Sequence, residues 1–310
     1  MIVAVTGVSS RLGAELVAAL DREERVTAIV GLDRVAPGFG SSKLRFVRRD
    51  IRDEELRRDL RGCDAVFHLA FLFQPPLPHM AEVHSINVDG SKNLCDAALC
   101  SGTRKLLITS SVAAYGAFPD NPVPIGEDRP IRLMEPEFYY NACKYRVEMY
   151  LDVLEAGHPE LQVTRFRPCT ILGRCHSHAM SRRVYLSPCP DVPMQFLWVD
   201  DMVSALMLGL MSDARGAFNI AGDHPMTWRE VAAQTGKRSI SIPYRPTLWF
   251  AELTSRLGLQ RHLPPGWLRM ARYPVVMDCT KARRELGWAP LHDTPGAVRQ
   301  FHSWNSPRGG

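Results

Sequence analysis

The sequence predicts an α/β fold, a doubly wound parallel sheet with a smaller C-terminal lobe. The 310 residues are 45% apolar, which is enough for one large core. Short β-branched segments alternate with helical patterns, as they do in βαβ units. Beyond Pro168, residues 171–193 are rich in Pro, Cys and His and show no long apolar period. We therefore predict a main domain at residues 1–170, with segments around 196–222 returning to it, and a lobe mainly at 171–310.

The six predicted strands of the main domain are short β-branched and apolar runs, at 2–6, 26–33, 44–50, 65–70, 105–111 and 162–168. Behind the first strand, Leu16, Val17 and Leu20 have the spacing of one helix face. In the lobe, Thr227 with Glu230 three residues later predicts a capping box at the start of a helix. The connections are therefore predicted to be helices that cover the sheet.

Composition and charge narrow the class of protein. The net charge of +5 comes mainly from arginines scattered among acids, which argues against a nucleic-acid interface. No two of the eight cysteines form a CxxC pair, which fits free thiols in a reducing cytoplasm. The CHSH segment at 175–178 lacks zinc-ligand spacing, so we expect no metal. The N-terminal segment is too short for a signal peptide, and no apolar run reaches about 18 residues. We expect a cytoplasmic protein without membrane insertion.

The segment TGVSSRLG, residues 6–13, has the strand, turn and helix context of a phosphate-binding turn. Gly7 permits the sharp turn, Gly13 lets the helix pack closely on the sheet, and the first N–H groups of the helix face an incoming pyrophosphate. Ser10 stands where a third glycine is usual, so a cofactor must accept its Cβ or bond its hydroxyl. The turn predicts a dinucleotide site in a Rossmann-type domain.

The residues after the second strand bear on the choice of dinucleotide. Asp33 follows Gly13 by 20 positions, the distance expected for an acid that accepts hydrogen bonds from the adenine ribose. Its carboxylate repels a 2′-phosphate, which favours NAD. Arg34 beside it and Arg11 in the turn carry the charge that attracts such a phosphate, so NADP stays open as the alternative.

A proton-transfer pair follows in the segment YYNACK, residues 139–144. Tyr140 and Lys144 are four residues apart on a predicted helix and therefore share one face. A neighbouring ammonium lowers the pKa of a phenol, which makes Tyr140 a usable acid and base near neutral pH. The segment TSSVAAYG, 109–116, follows the fifth strand at the edge where ligands bind, so a hydroxyl there can hold a substrate oxygen.

With these motifs in this order, the chain resembles the short-chain dehydrogenase/reductase superfamily in its extended, epimerase/dehydratase-like branch. The resemblance runs over nearly the whole chain. It is carried by eleven ordered segments: TGVSSRLG, GLDR, RRDIRD, DAVFHLA, INVDGSKNL, TSSVAAYG, YYNACK, RFRPCTILG, FLWVDDMVSA, FNIAGD and CTKARRELGWAP.

The resemblance implies catalytic roles at four positions. Ser111 is the hydroxyl that bonds the reacting oxygen, and Tyr140 donates or accepts the proton. Lys144 holds the nicotinamide ribose and tunes Tyr140, while Asn87 supports the active-site network. The implied chemistry is hydride transfer at the nicotinamide, coupled to proton transfer at Tyr140.

The turn and the resemblance together imply a set of cofactor-binding positions. By the resemblance, Asp50 and Ile51 flank the adenine, and Pro168 belongs to the segment beside the nicotinamide. The full set is Gly7, Ser10, Arg11, Leu12, Gly13, Asp33, Arg34, Asp50, Ile51, Leu69, Ala70, Tyr140, Lys144 and Pro168.

Departures from the family pattern bear on the substrate. Val112 and Ala113 stand where dehydratases carry an acidic pair, which argues against dehydration. Thr170 stands where nucleotide-sugar epimerases usually have Asn, and Trp198 stands where a His often precedes VDD. We expect both to contact the substrate together with Ser111 and Tyr140.

Two further segments, 71–80 and 246–259, are apolar and aromatic, which fits either an apolar substrate pocket or ordinary core of the lobe. Residues 248–263 fit packing within the lobe better than contact with a membrane surface.

The sequence therefore predicts an NAD(P)-dependent oxidoreductase that interconverts a secondary alcohol and a ketone on a medium-sized, rather apolar small molecule. One alternative is an NAD-dependent nucleotide-sugar epimerase, and a second is a non-catalytic dinucleotide-binding sensor, which has no need for Tyr140 and Lys144 together. The resemblance further implies a homodimer formed through the helices that carry Asn87 and Tyr140.

Overall fold

Seven parallel strands form the central sheet of the computed structural model, which describes residues 1–73, 80–135, 138–174, 184–259 and 265–305. The strands, in chain order, are β1 (Ile2–Thr6), β2 (Ala28–Asp33), β3 (Leu44–Arg48), β4 (Ala65–His68), β5 (Lys105–Thr109), β6 (Gln162–Pro168), β7 (Thr170–Leu172), β8 (Val184–Ser187), β9 (Phe196–Trp198), β10 (Gly216–Ile220) and β11 (Arg238–Ser241). The central sheet has the order β10-β6-β5-β4-β1-β2-β3. Each of the six predicted strand segments contains a strand, and the predicted fold class is confirmed.

The α-helices within these ranges lie on both faces of the sheet and in the lobe. In chain order they are α1 (Arg11–Arg22), α2 (Leu56–Asp59), α3 (Met80–His84), α4 (Gly90–Cys100), α5 (Tyr139–Gly157), α6 (Val199–Met211), α7 (Trp228–Gln234), α8 (Tyr244–Arg256), α9 (Pro265–Met270) and α10 (Thr294–Asn305). In the part of the chain that is described, no helix is both long and apolar enough to cross a membrane.

Alternation along the strands divides the core into two layers. Val3 and Val5 of β1 face the layer of α1 and α6, where Leu16 and Leu206 are fully buried. Ala4, between them, faces the opposite layer of α2, α4 and α5. Full burial of one such leucine contributes roughly 1.5–3 kcal/mol, so both layers fix the sheet on which the site is built.

The lobe has its own smaller core. β7 pairs with β9 and β8 with β11, and α7 and α10 cover them. Val231, Val298 and Phe301 form the centre of this core. The predicted capping box is confirmed, because Thr227 and Glu230 bond each other's backbone N–H groups at the start of α7. By contrast, residues 216–220 belong to the central sheet, where β10 pairs with β6.

One expectation about the lobe holds for one side of a helix only. Of residues 248–263, those on one side of α8 pack as predicted, with Ala251 buried and Glu252 paired with Arg269 of α9, but the other side is exposed. Trp249 is 65% exposed and Phe250 is 59% exposed. Apolar composition indicated burial, but the exposed face of α8 meets no partner among the described residues. Residues 260–263 lie outside the described ranges.

The strand order brings three strand ends together. β1 and β4 are neighbours, and the chain leaves β1 towards β2 but leaves β4 towards β5, so the two connections run in opposite directions and open a crevice at the carboxyl ends. The turn after Thr6, the segment after His68 and the turn after Thr109 meet at this edge of the sheet. All three segments carry predicted site residues.

Candidate active site

The turn after β1 requires glycine at two positions. Gly7 has φ +69°, and a Cβ on it would lie 2.7 Å from the backbone N of Ala70. A Cβ on Gly13 would lie 2.5 Å from the carbonyl oxygen of Val8. The turn therefore lies against the end of β4, and the first turn of α1 packs directly on the backbone of the turn at Gly7 and Val8. This is the cradle that a pyrophosphate needs.

Ser10 is the N-cap of α1. Its hydroxyl accepts a hydrogen bond from the backbone N of Gly13 at 3.0 Å, which satisfies one of the free donors of the first helical turn. The missing third glycine is thus replaced by a helix cap. Ser10 and Arg11 are exposed and Leu12 is half-buried, so the mouth of the turn is open to solvent.

Asp33 closes β2 beside this turn. Its carboxylate accepts hydrogen bonds from the backbone N of Ser9 at 3.1 Å and of Val35 at 3.3 Å. A carboxylate has about four acceptor sites, so capacity for ribose hydroxyls remains. Arg34 is largely exposed, and its Nε lies 3.8 Å from an Asp50 oxygen. Arg34, one of the two arginines predicted to attract a 2′-phosphate, is therefore drawn towards Asp50.

The predicted adenine-flanking pair lies next to Arg34. Asp50 also forms an ion pair with Arg52 at 2.7 Å, and hydrogen bonds from Arg52 lower the pKa of Asp50. Ile51 is buried and lies against Gly90, whose added Cβ would come within 2.7 Å of the Ile51 Cγ1. Ile51 can thus give one apolar wall, and Asp50 one polar edge, to a ring bound there.

Ser111 and Tyr140 meet at the carboxyl edge. Ser111 starts a short 3₁₀ turn, Val112–Tyr115, and its hydroxyl accepts from the backbone N of Ala113 at 3.1 Å. Tyr140 lies in the first turn of α5. Burial raises the pKa of Tyr140 to about 12, and a hydrogen bond with Ser111 opposes part of that rise. The phenol is therefore protonated at neutral pH and bonded to the hydroxyl predicted to share the reacting oxygen.

Lys144 lies one helical turn below Tyr140. Its Nζ donates to the Thr109 carbonyl at 2.9 Å and lies 3.5 Å from the centre of the Phe71 ring. Burial lowers the pKa of Lys144 to about 7. The expected lowering of the Tyr140 pKa by Lys144 is not found, because burial dominates at Tyr140 and the ammonium turns towards Thr109 and Phe71.

We predict a pH-dependent contribution of Lys144 to stability. The lysine titrates near pH 7 when folded and near 10.5 when unfolded, so between these values the unfolded chain binds more protons and wild-type stability rises with pH. The free energy of unfolding of wild type minus that of Lys144→Met should increase by up to about 1.4 kcal/mol per pH unit in this window. Urea unfolding of both proteins across the window measures it. Parallel pH profiles would contradict the burial of this charge.

Two buried asparagines hold the segments around the site. The amide of Asn87 accepts from the backbone N of Leu72 at 2.8 Å and donates to its carbonyl at 3.1 Å, which fixes the chain beyond β4. The amide of Asn141 accepts from Met134 N at 2.8 Å and donates to Ala113 O at 2.7 Å. It thereby ties the turn that carries Ser111 to the helix that carries Tyr140. Asn141 was not predicted from the sequence, although it directly follows Tyr140.

Aromatic side chains surround the Tyr140 ring. The ring centres of Phe71 and Phe73 lie 5.5 and 5.1 Å from it. Those of Trp267 and Phe138 lie 5.3 and 6.4 Å from it. We call these four residues the aromatic wall. Only Phe71 and Phe73 fall in a segment predicted to be apolar pocket, and residues 74–79 of that segment lie outside the described ranges.

The remaining predicted residues lie at different depths. Leu69 and Ala70 follow β4 beside the phosphate turn, and Pro168 ends β6 in the buried centre of the sheet. Thr170 is exposed at the start of β7. Trp198 is 4% exposed, belongs to the core of the lobe rather than to the aromatic wall, and donates from its indole to Asp200 at 3.1 Å.

His68 and the CHSH segment were not assigned to the site. His68 is buried between the hydroxyls of Thr6 and Ser91, each 2.8 Å from a ring nitrogen, and burial lowers its pKa to about 3. It is a neutral histidine with both ring nitrogens bonded. The CHSH segment at 175–178 lies outside the described residues, and no metal-ligand cluster occurs among those that are described.

A buried ion network behind the site was missed by sequence reasoning. Glu148 is fully buried and accepts from Ser110 at 2.5 Å and from the Arg167 Nε at 2.9 Å. Arg167 also donates to the Tyr115 hydroxyl at 2.8 Å. Burial alone would raise the pKa of Glu148, but the hydrogen bond and charge of Arg167 outweigh it and the pKa is lowered. The network anchors the residue next to Ser111 to both α5 and β6.

Comparison with known proteins adds a family match. The model of the NAD-dependent epimerase/dehydratase family matches residues 3–221. The chain is 30% identical to the uncharacterized protein y4nG of Sinorhizobium fredii, over 97% of this chain and 77% of that protein. It is 26% identical to sterol demethylase protein B of Methylococcus capsulatus, over 98% of both. It is also 26% identical to UDP-glucose 4-epimerase of Mycolicibacterium smegmatis, over 92% of both.

Solved structures share the fold. MoeE5 in complex with UDP-glucuronic acid and NAD superposes with a TM-score of 0.77 at 23% identity, covering 98% of both chains. The structure called gox2253 also gives a TM-score of 0.77, at 22% identity, covering 98% of this chain and 97% of the other. At these identities the likeness concerns the arrangement of the backbone.

Proposed function

The chain belongs to the NAD-dependent epimerase/dehydratase family, and from this premise we propose that it is an oxidoreductase interconverting a secondary alcohol and a ketone on a medium-sized, apolar substrate. The observation that carries the proposal is the aromatic wall around Tyr140. Apolar surroundings at the reacting group favour an apolar ligand, since a sugar's hydroxyls would lose hydrogen bonds there. One relative has sterol demethylase in its name, and a sterol is such an alcohol.

The cofactor we propose is NAD, which supplies or accepts the hydride when bound. The residues fit it on three counts: the glycine cradle at Gly7 and Gly13, the open donors at the start of α1, and the acceptor capacity of Asp33. In our proposal Ile51 and Asp50 adjoin the adenine, and Lys144 binds the nicotinamide ribose. The Phe71 ring lies against Lys144. We therefore propose that this ring moves aside when Lys144 binds the nicotinamide ribose.

In our proposal, side chains of this protein bind the reacting oxygen and transfer the proton. Ser111 bonds the substrate oxygen, and Tyr140 donates its proton to that oxygen as negative charge develops during reduction. A Tyr140 pKa near 12 suits this direction, because the phenol stays protonated at neutral pH yet is a far stronger acid than an alcohol. Reduction leaves Tyr140 as the phenolate, and in oxidation it is this phenolate that accepts the proton of the alcohol.

Cofactor choice is tested at Asp33 and Arg34. Ser9 and Val35 donate to different oxygens of Asp33, so Asp33→Asn should keep one of these two contacts through its single amide oxygen. It should weaken NAD binding by roughly tenfold or more, because charge-assisted bonds to the ribose are lost. NADP binding should improve relative to NAD, since a repelling carboxylate is removed. Isothermal titration calorimetry with NAD and with NADP measures the ratio of their two dissociation constants. Arg34→Ala is the matched variant and should weaken NADP alone; an unchanged ratio in Asp33→Asn would remove the basis for preferring NAD.

A second candidate is a nucleotide-sugar epimerase. The UDP-glucose 4-epimerase relative favours it, as does the fold of MoeE5 solved with UDP-glucuronic acid and NAD. An epimerase oxidises and re-reduces one bound sugar, so no net cofactor conversion occurs.

Incubating the enzyme with steroid-like alcohols and NAD, with the corresponding ketones and NADH, and separately with UDP-sugars and NAD, distinguishes the candidates. Net change in nicotinamide fluorescence with the apolar panel is the expected result. Sugar isomerisation without net change would support the epimerase, and dinucleotide binding without turnover on either panel would support the sensor. Both outcomes would contradict the oxidoreductase.

A further inference from the structure

Helix α8 presents an unpartnered apolar stripe. Trp249, Leu253 and Leu257 follow one another at four-residue spacing, Leu257 being the C-cap directly after the helix, and Phe250 lies beside them. We call these four residues the α8 stripe. All are exposed, from 38% for Leu253 to 65% for Trp249. A continuous exposed stripe with two large aromatic rings differs from the scattered apolar residues of ordinary surfaces.

The charges beside the α8 stripe are positive. Arg245 and Arg256 are exposed, and at 100° per residue both lie along one border of the stripe. Neither guanidinium forms an ion pair with any residue that the structure describes. The sole acidic residue in the sequence from 238 to 259 is Glu252, and its carboxylate pairs with Arg269 of α9. The face is therefore apolar and cationic.

We propose that the α8 stripe docks on the surface of an anionic lipid bilayer. A helix with Trp, Phe and Leu on one side and bordering arginines binds in the plane of the lipid headgroups, where rings enter the acyl boundary and guanidinium groups meet lipid phosphates. A second copy of this chain is a poorer occupant, because it would bring like charges together without an acidic partner. The helix lies on the bilayer and does not cross it.

Docking would place lipid near the aromatic wall. Glu252 of α8 is bonded to Arg269 of α9, and the same short helix carries Trp267, whose ring centre lies 5.3 Å from that of Tyr140. An apolar substrate dissolved in the bilayer would then enter beside the aromatic wall. This delivery role rests on the proposed function, whereas the docking itself does not.

Co-sedimentation of the full chain with lipid vesicles tests the docking. We expect binding to vesicles of phosphatidylcholine with phosphatidylglycerol, weaker binding to phosphatidylcholine alone, and weakening by salt. Trp249→Ser with Phe250→Ser should lower the partition coefficient roughly tenfold or more, because the inserted apolar area is lost. Arg245→Gln with Arg256→Gln should lower it about tenfold or more on anionic vesicles only. Val153→Ser with Arg61→Gln, exposed positions on other elements, is the matched control and should bind like wild type.

A second readout remains if the double serine variant fails to fold. Brominated phosphatidylcholine in the anionic vesicles should quench fluorescence of wild type, and Trp249→Phe should still bind while losing most of that quenching. No binding of wild type to anionic vesicles overturns the proposal, as does equal binding by all variants. A dimer in light scattering that the serine variant dissociates, without vesicle binding, overturns it in favour of a second copy. The assay contains neither substrate nor NAD, so its failure leaves the proposed redox activity to its own test.

Discussion

Tyr140→Phe is expected to lower kcat by roughly 10²–10⁴-fold on any productive substrate, the range typical for loss of a general acid–base group. The phenylalanine ring keeps the contacts with the aromatic wall and loses only the hydroxyl bonded to Ser111. Binding of NAD should change little, because the phosphate turn and Asp33 are untouched. The loss therefore belongs to the proton-transfer step. Steady-state kinetics with the apolar panel, together with calorimetric titration of NAD, separates the two effects.

The matched control lies on the same helix. Tyr150 of α5 donates its hydroxyl to Asp96, remote from the Ser111 turn, so Tyr150→Phe should keep wild-type kcat. A Tyr140→Phe enzyme with wild-type kcat would show that another group moves the proton. The pH dependence of kcat in the reduction direction gives an independent check. Activity that needs a protonated Tyr140 should persist through neutral pH and fall only as the pH approaches about 12.

Glu148→Ala should lower the free energy of unfolding by about 3–5 kcal/mol, the usual cost of removing one partner of a buried ion pair. The carboxylate is fully buried, and it is the one acidic group paired with Arg167 among the residues described here. Arg165 would keep Asp152 and Glu155, so the penalty should fall mainly on Arg167. Urea unfolding followed by fluorescence measures the change.

Two variants identify the cause of that loss. Glu160→Ala, at an exposed carboxylate, should change stability by less than about 0.5 kcal/mol. Glu148→Leu combined with Arg167→Met removes both charges, and it should recover a large part of the loss if the unpaired arginine causes it. Should the double variant prove no more stable than Glu148→Ala, the hydrogen bonds of Ser110 and Tyr115 would account for the loss instead.

Local patterns explain what could be predicted from the sequence. The phosphate turn and the spacing of Tyr140 and Lys144 depend on a few neighbouring residues, so both can be recognised in the sequence without knowledge of the tertiary structure. The Ser10 cap could have been found in the same way, since Ser before a helix start with a free N–H three residues on is a common cap. The alternation of strands and helices likewise predicted the parallel sheet that is observed.

The parts that could not be predicted depend on tertiary packing. Glu148 and Arg167 are 19 residues apart, and no local sequence pattern indicates that these two charged side chains are buried against each other in the core. The contact of Lys144 with Phe71 arises only when β4 and α5 adjoin. Trp249 and Phe250 are exposed although their side chains are hydrophobic. Hydrophobicity indicates a preference for burial, but it does not show that a neighbouring element is present to cover the side chain.

The Asn141 contacts hold the proposed proton-transfer groups on different segments from those that would contact the rest of the substrate. One amide group holds the Ser111 turn against the helix of Tyr140, so the proposed reacting pair is tied together within the main domain. The surfaces that would choose a substrate come from other segments, with Trp267 on α9 and Phe73 beyond β4. Substitutions in those segments would alter which molecule fits while leaving the proposed proton donor in position. Substrate preference would then change without rebuilding the proposed catalytic step.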